Sequence, residues 1–261
     1  NSSYVTSEFP YFNEQGQGSN YFYSALTAPP YVSLLEKNAN GEFSNNPTGY
    51  GIASSNWQNP LYVAENRLRM TDRDRIIAGV KATYNVTDWL SVNARQSMDR
   101  RLQQYNDHTP VGYQTPTPST FFNNGYEYIE DIDESAYITE LWAQFDQQIS
   151  EDINLNGTLK YLFEDRNYTE NWTQGYDYSV SGVRDIGATN PNNFSAGSTL
   201  EEERVENYIA NVDIDYQDKI IVGAMIRRDG SSLFGSEERW QTYYRGSLAY
   251  RLTEDIDINN V

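Results

Sequence analysis

The chain has 261 residues, no cysteine, one histidine and a formal net charge of −18. The absence of cysteine excludes a disulfide scaffold and thiolate-bound zinc. The acidity argues against a nucleic-acid-binding protein, which needs a positively charged surface. Aromatic residues make up 14% of the chain, too many for a disordered protein. No run approaches the roughly 18 consecutive apolar residues of a membrane-spanning helix.

The first part of the chain, residues 1–70, contains no convincing hairpin and is rich in Asn, Gly, Ser, Tyr and Pro. Such a composition favours turns and irregular connections over paired strands. We therefore predict that residues 1–70 form mainly a long extracellular loop and that hairpins occupy residues 71–261. No signal-peptide pattern is recognisable, so for an exported protein we expect an upstream start.

From residue 71 onward, apolar and polar side chains alternate, as in a strand with one apolar face. Residues 75–86 show this pattern clearly, and it recurs in hairpins around 138–163 and 207–226. It predicts seven complete strands and an eighth that begins at Ile256. The residues that we expect to face lipid are Ala78, Val80, Leu141, Phe145, Val212, Ile214, Val222 and Leu248.

Two kinds of connection alternate between these strands. One kind is tight and acidic, at 87–88, 150–152, 217–218 and 253–255. The other is long and polar, and we expect it at about 102–134, 168–203 and 229–239. Short turns on one rim and long loops on the other are typical of outer-membrane β-barrels.

These patterns predict an all-β fold, an antiparallel transmembrane β-barrel of which about eight strands are present. A soluble β-sandwich, such as a carbohydrate-binding or adhesive domain, also alternates and stays open as an alternative. So does a passive, porin-like barrel that closes with about eight strands. The length of the strands favours a membrane barrel, which needs about 9–11 residues per strand.

The segment from 215 to 256 closely resembles the SusC/RagA family of TonB-linked outer-membrane proteins. It has a Tyr-x-Asp-Lys turn, an Arg-Arg-Asp-Gly-Ser-Ser strand end, a Phe-Gly loop and an Arg-Trp pair. A weaker resemblance covers Ala25-Leu26, Pro29-Pro30, 40–43 and Asn59-Pro60. The signature residues are Arg227, Arg228, Asp229, Gly230, Ser231, Phe234, Gly235, Arg239 and Trp240.

The resemblance implies a barrel of about 22 strands with an N-terminal plug, energised by TonB and covered by a SusD-like surface lipoprotein. The plug and the TonB box are not recognisable in these residues, so we expect this chain to be part of the barrel domain. The implied location is the bacterial outer membrane, and the implied partners are the lipoprotein, the TonB complex and lipid.

The expected long loops contain seven aromatic residues that are candidates for contact with a ligand or with the lid lipoprotein. Aromatic side chains can stack on sugar rings or pack against a partner. They can equally hold the loops together, and the sequence leaves both interpretations open. These residues are Tyr113, Phe121, Phe122, Tyr126, Trp172, Tyr176 and Tyr178.

Three polar features are interpreted mainly as structural. In Arg227–Gly230, the Asp-Gly pair predicts a turn whose arginines pair with Glu237 and Glu238. His108 lies in an expected loop without partner ligands, so it does not indicate a metal site. An acidic run could bind calcium, which prefers oxygen ligands, but we expect no cofactor. The run comprises Glu127, Glu130, Asp131, Asp133 and Glu134.

The sequence contains no nucleophile elbow, phosphate-binding loop or zinc-binding helix motif, so we do not expect an enzyme. The function that we infer is active import of a bulky nutrient, an oligosaccharide or a peptide, across the outer membrane. The two alternatives are the passive porin-like barrel and the soluble β-sandwich.

Overall fold

One antiparallel sheet dominates the computed structural model, which describes residues 2–10, 21–48, 58–115 and 118–254. Its eight strands lie in chain order, so each strand pairs with its neighbours in sequence. They are β1 (Ser2–Pro10), β2 (Leu68–Asn85), β3 (Leu90–Val111), β4 (Asn124–Ser150), β5 (Ile153–Tyr176), β6 (Phe194–Tyr216), β7 (Ile220–Ser231) and β8 (Trp240–Tyr250).

In their described parts, the connections contain only short helices. The α-helices are α1 (Tyr21–Thr27), α2 (Pro60–Asn66) and α3 (Thr120–Asn123), and the 3-10 turns are Ile186–Ala188, Pro191–Asn193 and Leu252–Glu254. Among the residues in these ranges, no helix combines the length and the apolar character needed to cross a membrane.

One face of the sheet, here called the outer face, carries a continuous apolar band. On β5 this band begins at Ile153 and ends at Phe163, and Asp165 is the next residue on the same face. Rows of paired residues extend it across the sheet, and its large side chains are between 43% and 76% exposed. These side chains are Val80, Leu141, Leu159, Ile214, Val222 and Leu248.

The thickness of this band matches that of a membrane. From Ile153 to Phe163 the strand advances by about 33 Å, which corresponds to about 25 Å across the membrane at a strand tilt of ~40°. A water-exposed apolar surface of this extent is expected only where lipid or a partner covers it. The predicted antiparallel strands and their apolar register are confirmed.

The opposite face, here called the inner face, is polar at the same depth. The Glu140 carboxylate is 3% exposed and accepts a hydrogen bond from Lys160 Nζ at 2.5 Å and another from Arg95. The Nζ atoms of Lys81 and Lys160 lie 5.2 and 5.9 Å from the ring centroid of Trp142. Charged groups in this network are paired, so the inner face suits an aqueous lumen.

The expected long loops at 102–134 and 168–203 are mostly strand, so their predicted extent was wrong. Beyond the apolar band, β3 to β6 continue for about ten residues, which leaves connections of only 112–123 and 177–193. Polar residues occupy both faces of these extensions, so they lack the apolar–polar alternation that predicts a strand. Backbone pairing and cross-strand ion pairs stabilise them, for example Arg100 with Asp133 and Arg101 with Glu134, at 2.6 and 2.5 Å.

The interpretation of residues 1–70 also needs correction. Ser2–Pro10 forms β1, which pairs with β2 from Ala78 to Met70, and β2 itself begins at Leu68. The alternation in Ser2–Pro10 is weak because Ser, Thr and Glu occupy much of the strand, which hid it from the sequence pattern. The eighth strand that we expected from Ile256 lies outside the described residues.

The predicted tight turns between strands are confirmed at three places. They join β2 to β3, β4 to β5, and β6 to β7. In the last of them, Gln217 and Asp218 have φ angles of 54° and 55°. Two successive positive φ angles are the geometry of a two-residue hairpin turn that matches the twist of the strands.

The sheet is open within the described residues, because β1 pairs only with β2 and β8 only with β7. An open edge in lipid leaves backbone groups without hydrogen bonds. This arrangement disfavours a closed eight-stranded porin. It also disfavours a β-sandwich, in which a second sheet would bury the apolar face.

Candidate ligand- and partner-facing surface

Six aromatic residues at the end of the sheet far from the tight turns form two packed sets, a pair and a group of four, here together called the rim cluster. Tyr113 is 2% exposed, and its ring centroid lies 5.3 Å from that of Tyr62. Phe121 lies 4.7 Å from both Tyr126 and Tyr176, centroid to centroid. The cluster comprises Tyr62, Tyr113, Phe121, Phe122, Tyr126 and Tyr176.

Hydrogen bonds fix the rim cluster to the preceding connection. The Tyr113 hydroxyl donates to Gln58 Oε1 at 2.6 Å, and the Gln114 N–H donates to the Tyr62 hydroxyl at 2.7 Å. Burial raises the pKa of Tyr113, so this phenol stays a neutral donor. The start of the 112–123 connection, at Tyr113 and Gln114, is therefore docked on the segment around α2.

Asn59 organises the segment that precedes β2. It is 0% exposed and caps α2, where its side-chain oxygen accepts from the Leu61 N–H at 3.1 Å. Its amide nitrogen donates to the carbonyl oxygens of Leu34 and Ser44 at 2.9 and 2.8 Å. The Asn59-Pro60 pair in the weaker family resemblance is thus a helix start that also holds 21–48 in place.

A buried ion pair connects α2 with β3. Arg67 follows α2, and its guanidinium donates to both carboxylate oxygens of Asp107 at 2.7 and 2.5 Å. Both side chains are at most 8% exposed. The Arg67 guanidinium also lies 5.0 Å from the centroid of the Phe122 ring. A buried charge is destabilising unless it is paired, and the two parallel hydrogen bonds between Arg67 and Asp107 provide this pairing.

A group of polar residues around Glu127, here called the Glu127 node, lies on the outer face above the apolar band. The Glu127 carboxylate, 3% exposed, lies 2.6 Å from His108 Nδ1 and accepts from the Tyr178 hydroxyl at 2.9 Å. Arg184 Nε lies 3.2 Å away. Burial alone would raise the pKa of Glu127, but the hydrogen bonds and charges of these partners hold it below its usual value. His108 therefore lies on a strand beside Glu127 and Tyr178, not in a loop.

Three aromatic rings lie next to one another on the inner face of β3, β4 and β5. The ring centroids of Tyr105 and Tyr128 are 5.9 Å apart, and those of Tyr128 and Trp172 are 6.2 Å apart with nearly parallel planes. All three side chains are partly exposed.

The structure therefore separates the seven aromatic candidates into two groups. Tyr113, Tyr126 and Tyr178 are at most 9% exposed and hold connections together within this chain. The other four keep partial exposure, so contact with a ligand or lid remains a proposal for them: Phe121, Phe122, Trp172 and Tyr176. The sequence did not single out Tyr62, Arg67, Tyr105, Asp107 or Tyr128, because the segments that contain them were expected to be loops.

The acidic run lies on β4 and not in a loop. Glu127, Asp131 and Asp133 point to the outer face, whereas Glu130 and Glu134 point to the inner face. Among the described residues, no three His, Cys, Asp or Glu side chains gather in a group that could hold a metal ion. The alternation of the strand is what separates these carboxylates.

The family signature has a different local role from the one expected. Asp229 and Gly230 lie in β7 and not in a turn, and Arg227 pairs with Asp229 at 2.7 Å instead of with Glu237 or Glu238. Arg228 lies 5.0 Å from the centroid of the Trp240 ring. Gly230 lies opposite Trp240, whose ring would be 2.7 Å from a Cβ atom there. Phe234 and Gly235 follow in the 232–239 connection, which ends at Arg239.

Comparisons with known proteins agree on the fold. No family model matches the chain. A curated relative, TonB-dependent receptor P26 from Formosa agariphila, is 18% identical over 211 residues, which cover 80% of this chain and 21% of that protein. The chain thus spans a small part of the length of its relative.

Solved structures of the RagAB peptide importer are also similar. The "closed-closed" state has a TM-score of 0.79 at 15% identity and covers 98% of this chain and 28% of the other. The "open-open" state has a TM-score of 0.77 at 15% identity, with coverage of 100% and 28%. These proteins are described as receptors and transporters, not as enzymes. The motif of residues 215–256 resembles the SusC/RagA family, and the comparisons show that the chain is similar in sequence to part of a TonB-dependent receptor and in fold to part of the RagAB peptide importer.

Proposed function

We propose that this chain forms part of the wall of an outer-membrane importer that takes up a bulky nutrient, an oligosaccharide or a peptide. The similarity to a TonB-dependent receptor and to a peptide importer supports this proposal at the level of the barrel. In this proposal the energy comes from TonB through a plug, and the chain performs no covalent chemistry.

The proposal rests on the two zones of the strands, an apolar band at membrane level and a polar extension above it. The apolar outer band extends over about 25 Å, the thickness expected for an outer-membrane barrel. The same strands then continue as a polar wall for about ten further residues on β3 to β6. A simple pore needs no such wall, whereas a chamber for a bulky ligand above the membrane does.

A SusD-like lipoprotein is the partner that we propose at the rim. Support comes from three large apolar side chains that are exposed in the segment 21–48. Leu26, Tyr31 and Leu35 are 68%, 76% and 71% exposed. Apolar side chains that cluster on a water-facing surface commonly mark an interaction site.

Uptake in intact cells tests the proposed function. Cells that carry the intact receptor should accumulate labelled oligopeptides or oligosaccharides, and a matched strain without TonB should not. Uptake that persists without TonB would support the passive barrel instead. Extraction of the protein into detergent-free buffer would support the soluble sandwich.

A further inference from the structure

The outer face contains a groove of about 490 Å³ in the upper half of the apolar band, the half that lies away from the tight turns. Ala210 lies in the groove between Leu159 and Ile226, in one row of paired residues. Leu159 and Ile226 are 59% and 44% exposed, so the small side chain of Ala210 leaves a depression between two large ones. The volume lies in the range of about 300–1,000 Å³ that is usual for sites that bind small molecules.

Aromatic rings and one arginine border the upper end of this groove. The ring centroids of Tyr161 and Tyr208 lie 5.2 Å apart, and those of Tyr208 and Trp240 lie 6.0 Å apart. Arg228 lies directly opposite Tyr208, and its guanidinium lies 5.0 Å from the centroid of the Trp240 ring. Tyrosine and tryptophan favour the level at which acyl chains meet headgroups. The groove therefore extends from the acyl chains up to the headgroups.

The charge of Arg228 has no carboxylate partner within the described part of the chain, although the side chain is exposed. The two neighbouring arginines differ in this respect, because Arg227 lies 2.7 Å from Asp229 and Arg204 lies 3.7 Å from Asp165. Contact with an aromatic ring leaves the N–H donors of the Arg228 guanidinium available to an acceptor.

The depth of Arg228 in the membrane favours an anionic partner. Its row of paired residues contains Tyr161 and lies one row below that of Phe163, the upper end of the band. This difference corresponds to about 5 Å across the membrane. A charge without a partner is unfavourable in the apolar region, but the long side chain of arginine can reach up to the headgroups. Phosphate is an acceptor at that level, and a guanidinium binds it through two parallel hydrogen bonds.

We propose that this groove binds one phosphate-bearing lipid of the membrane leaflet at this end of the barrel. The phosphate lies at Arg228, and one acyl chain lies over Ala210 between Leu159 and Ile226. A protein partner would have to place a carboxylate inside the bilayer to match Arg228, whereas a lipid has its phosphate at this level. The site is on the lipid side of the wall, so it is separate from the import path and from the rim cluster.

The number of lipids bound to the intact receptor, counted by native mass spectrometry after removal of lipid in detergent, tests the proposal. The probes are dioleoylphosphatidic acid and dioleoylglycerol, which share their acyl chains and differ in the phosphate. Arg228→Gln should lower the number of tightly bound phosphatidic acid molecules by one, through a loss of about tenfold or more in affinity at this site. Binding of dioleoylglycerol should not change.

A second substitution tests the acyl-chain part of the site. Ala210→Phe fills the groove and should remove one bound molecule of either lipid. Ala224→Phe is its matched control, because Ala224 lies on the outer face of β7 outside the groove. Arg204→Gln is the matched control for Arg228→Gln, since it removes an exposed arginine of the outer face that already has a carboxylate partner. Neither control should change the number of bound lipids.

Three results would overturn the proposal, and each leaves the import function intact. The first is an unchanged number of phosphatidic acid molecules in both Arg228→Gln and Ala210→Phe. The second is displacement of the lipid by excess inorganic phosphate together with no effect of Ala210→Phe, which would make Arg228 a site for a free anion. The third is a receptor dimer that Ala210→Phe dissociates, which would make the groove an interface between two copies.

Discussion

Gly197 lies directly opposite Trp172 in the β5–β6 ladder, and a Cβ atom at position 197 would be 2.7 Å from Trp172 Cε2. The glycine therefore leaves the space in which the indole ring lies against the sheet. This position brings Trp172 beside Tyr128 on the inner face, with 6.2 Å between the ring centroids.

Gly197→Val should displace Trp172 and destabilise the upper part of β5 and β6. Overpacking of this kind costs about 1–3 kcal/mol. The midpoint of thermal unfolding of the intact receptor, followed by tryptophan fluorescence, should fall. Gly246→Val is the matched control, since a Cβ atom at Gly246 meets nothing within 4 Å. Equal midpoints for the two variants would show that Trp172 does not depend on the glycine.

The apolar register makes a prediction at two adjacent positions of β5. Leu159 is 59% exposed in the middle of the outer band, and Thr158 lies on the polar inner face. Leu159→Arg should reduce the amount of receptor in the outer membrane, because an arginine at mid-bilayer costs about 2–4 kcal/mol. Thr158→Arg should assemble at a level close to that of the unsubstituted receptor, measured by immunoblot of membrane fractions. Similar losses from both changes would contradict the register.

The sequence predicted the membrane-level part of this fold because lipid imposes a pattern on it. Leu141, Leu159 and Val222 face lipid and are apolar, whereas their neighbours along each strand are polar. The resulting two-residue alternation is what the sequence shows. Above the band, water lies on both faces, so Arg100 and Arg101 are equally acceptable on either side. Their partners Asp133 and Glu134 are 33 residues away in sequence, and no local pattern shows such pairs.

The candidate site was predictable only in part for the same reason. The aromatic residues around Phe121 and Tyr126 were identified by composition, but their packing on one another, and that of Tyr113 on the distant Tyr62, are tertiary contacts that composition does not show. Asp229-Gly230 has the sequence of a turn. It lies in a strand, where Gly230 leaves room for the ring of Trp240 on β8. Only the paired strand reveals this contact.

The Glu127 node predicts a dependence of stability on pH. Because the pKa of Glu127 is lowered in the folded protein, its contribution is fully present above the unfolded pKa of about 4.3 and is lost as the pH falls through the lower folded value. Glu127→Gln should lower the free energy of unfolding at pH 7 by about 1–3 kcal/mol, the cost of losing a buried charged partner. The difference from the unsubstituted protein should shrink below about pH 4. Glu238→Gln, an exposed control, should show no such difference, and a gap for Glu127→Gln that is constant with pH would argue against the ion pairs.

The last prediction concerns the lid, and it follows from where apolar side chains remain exposed. Deletion of residues 113–126 would remove Tyr113 and Tyr126 from the rim cluster and would unfold the surface under test. Tyr31 and Leu35 are instead 76% and 71% exposed, so their side chains can be removed without loss of buried contacts.

Tyr31→Ser combined with Leu35→Ser should weaken co-purification of the SusD-like lipoprotein, because interface centres rely on aromatic and apolar side chains. We expect a loss of about tenfold or more in apparent affinity, since such residues commonly contribute at least ~2 kcal/mol. Asn40→Ala, a change of an exposed polar residue in the same segment, should have no effect. Unchanged co-purification of the double variant at normal receptor levels would show that the lipoprotein docks elsewhere on the rim.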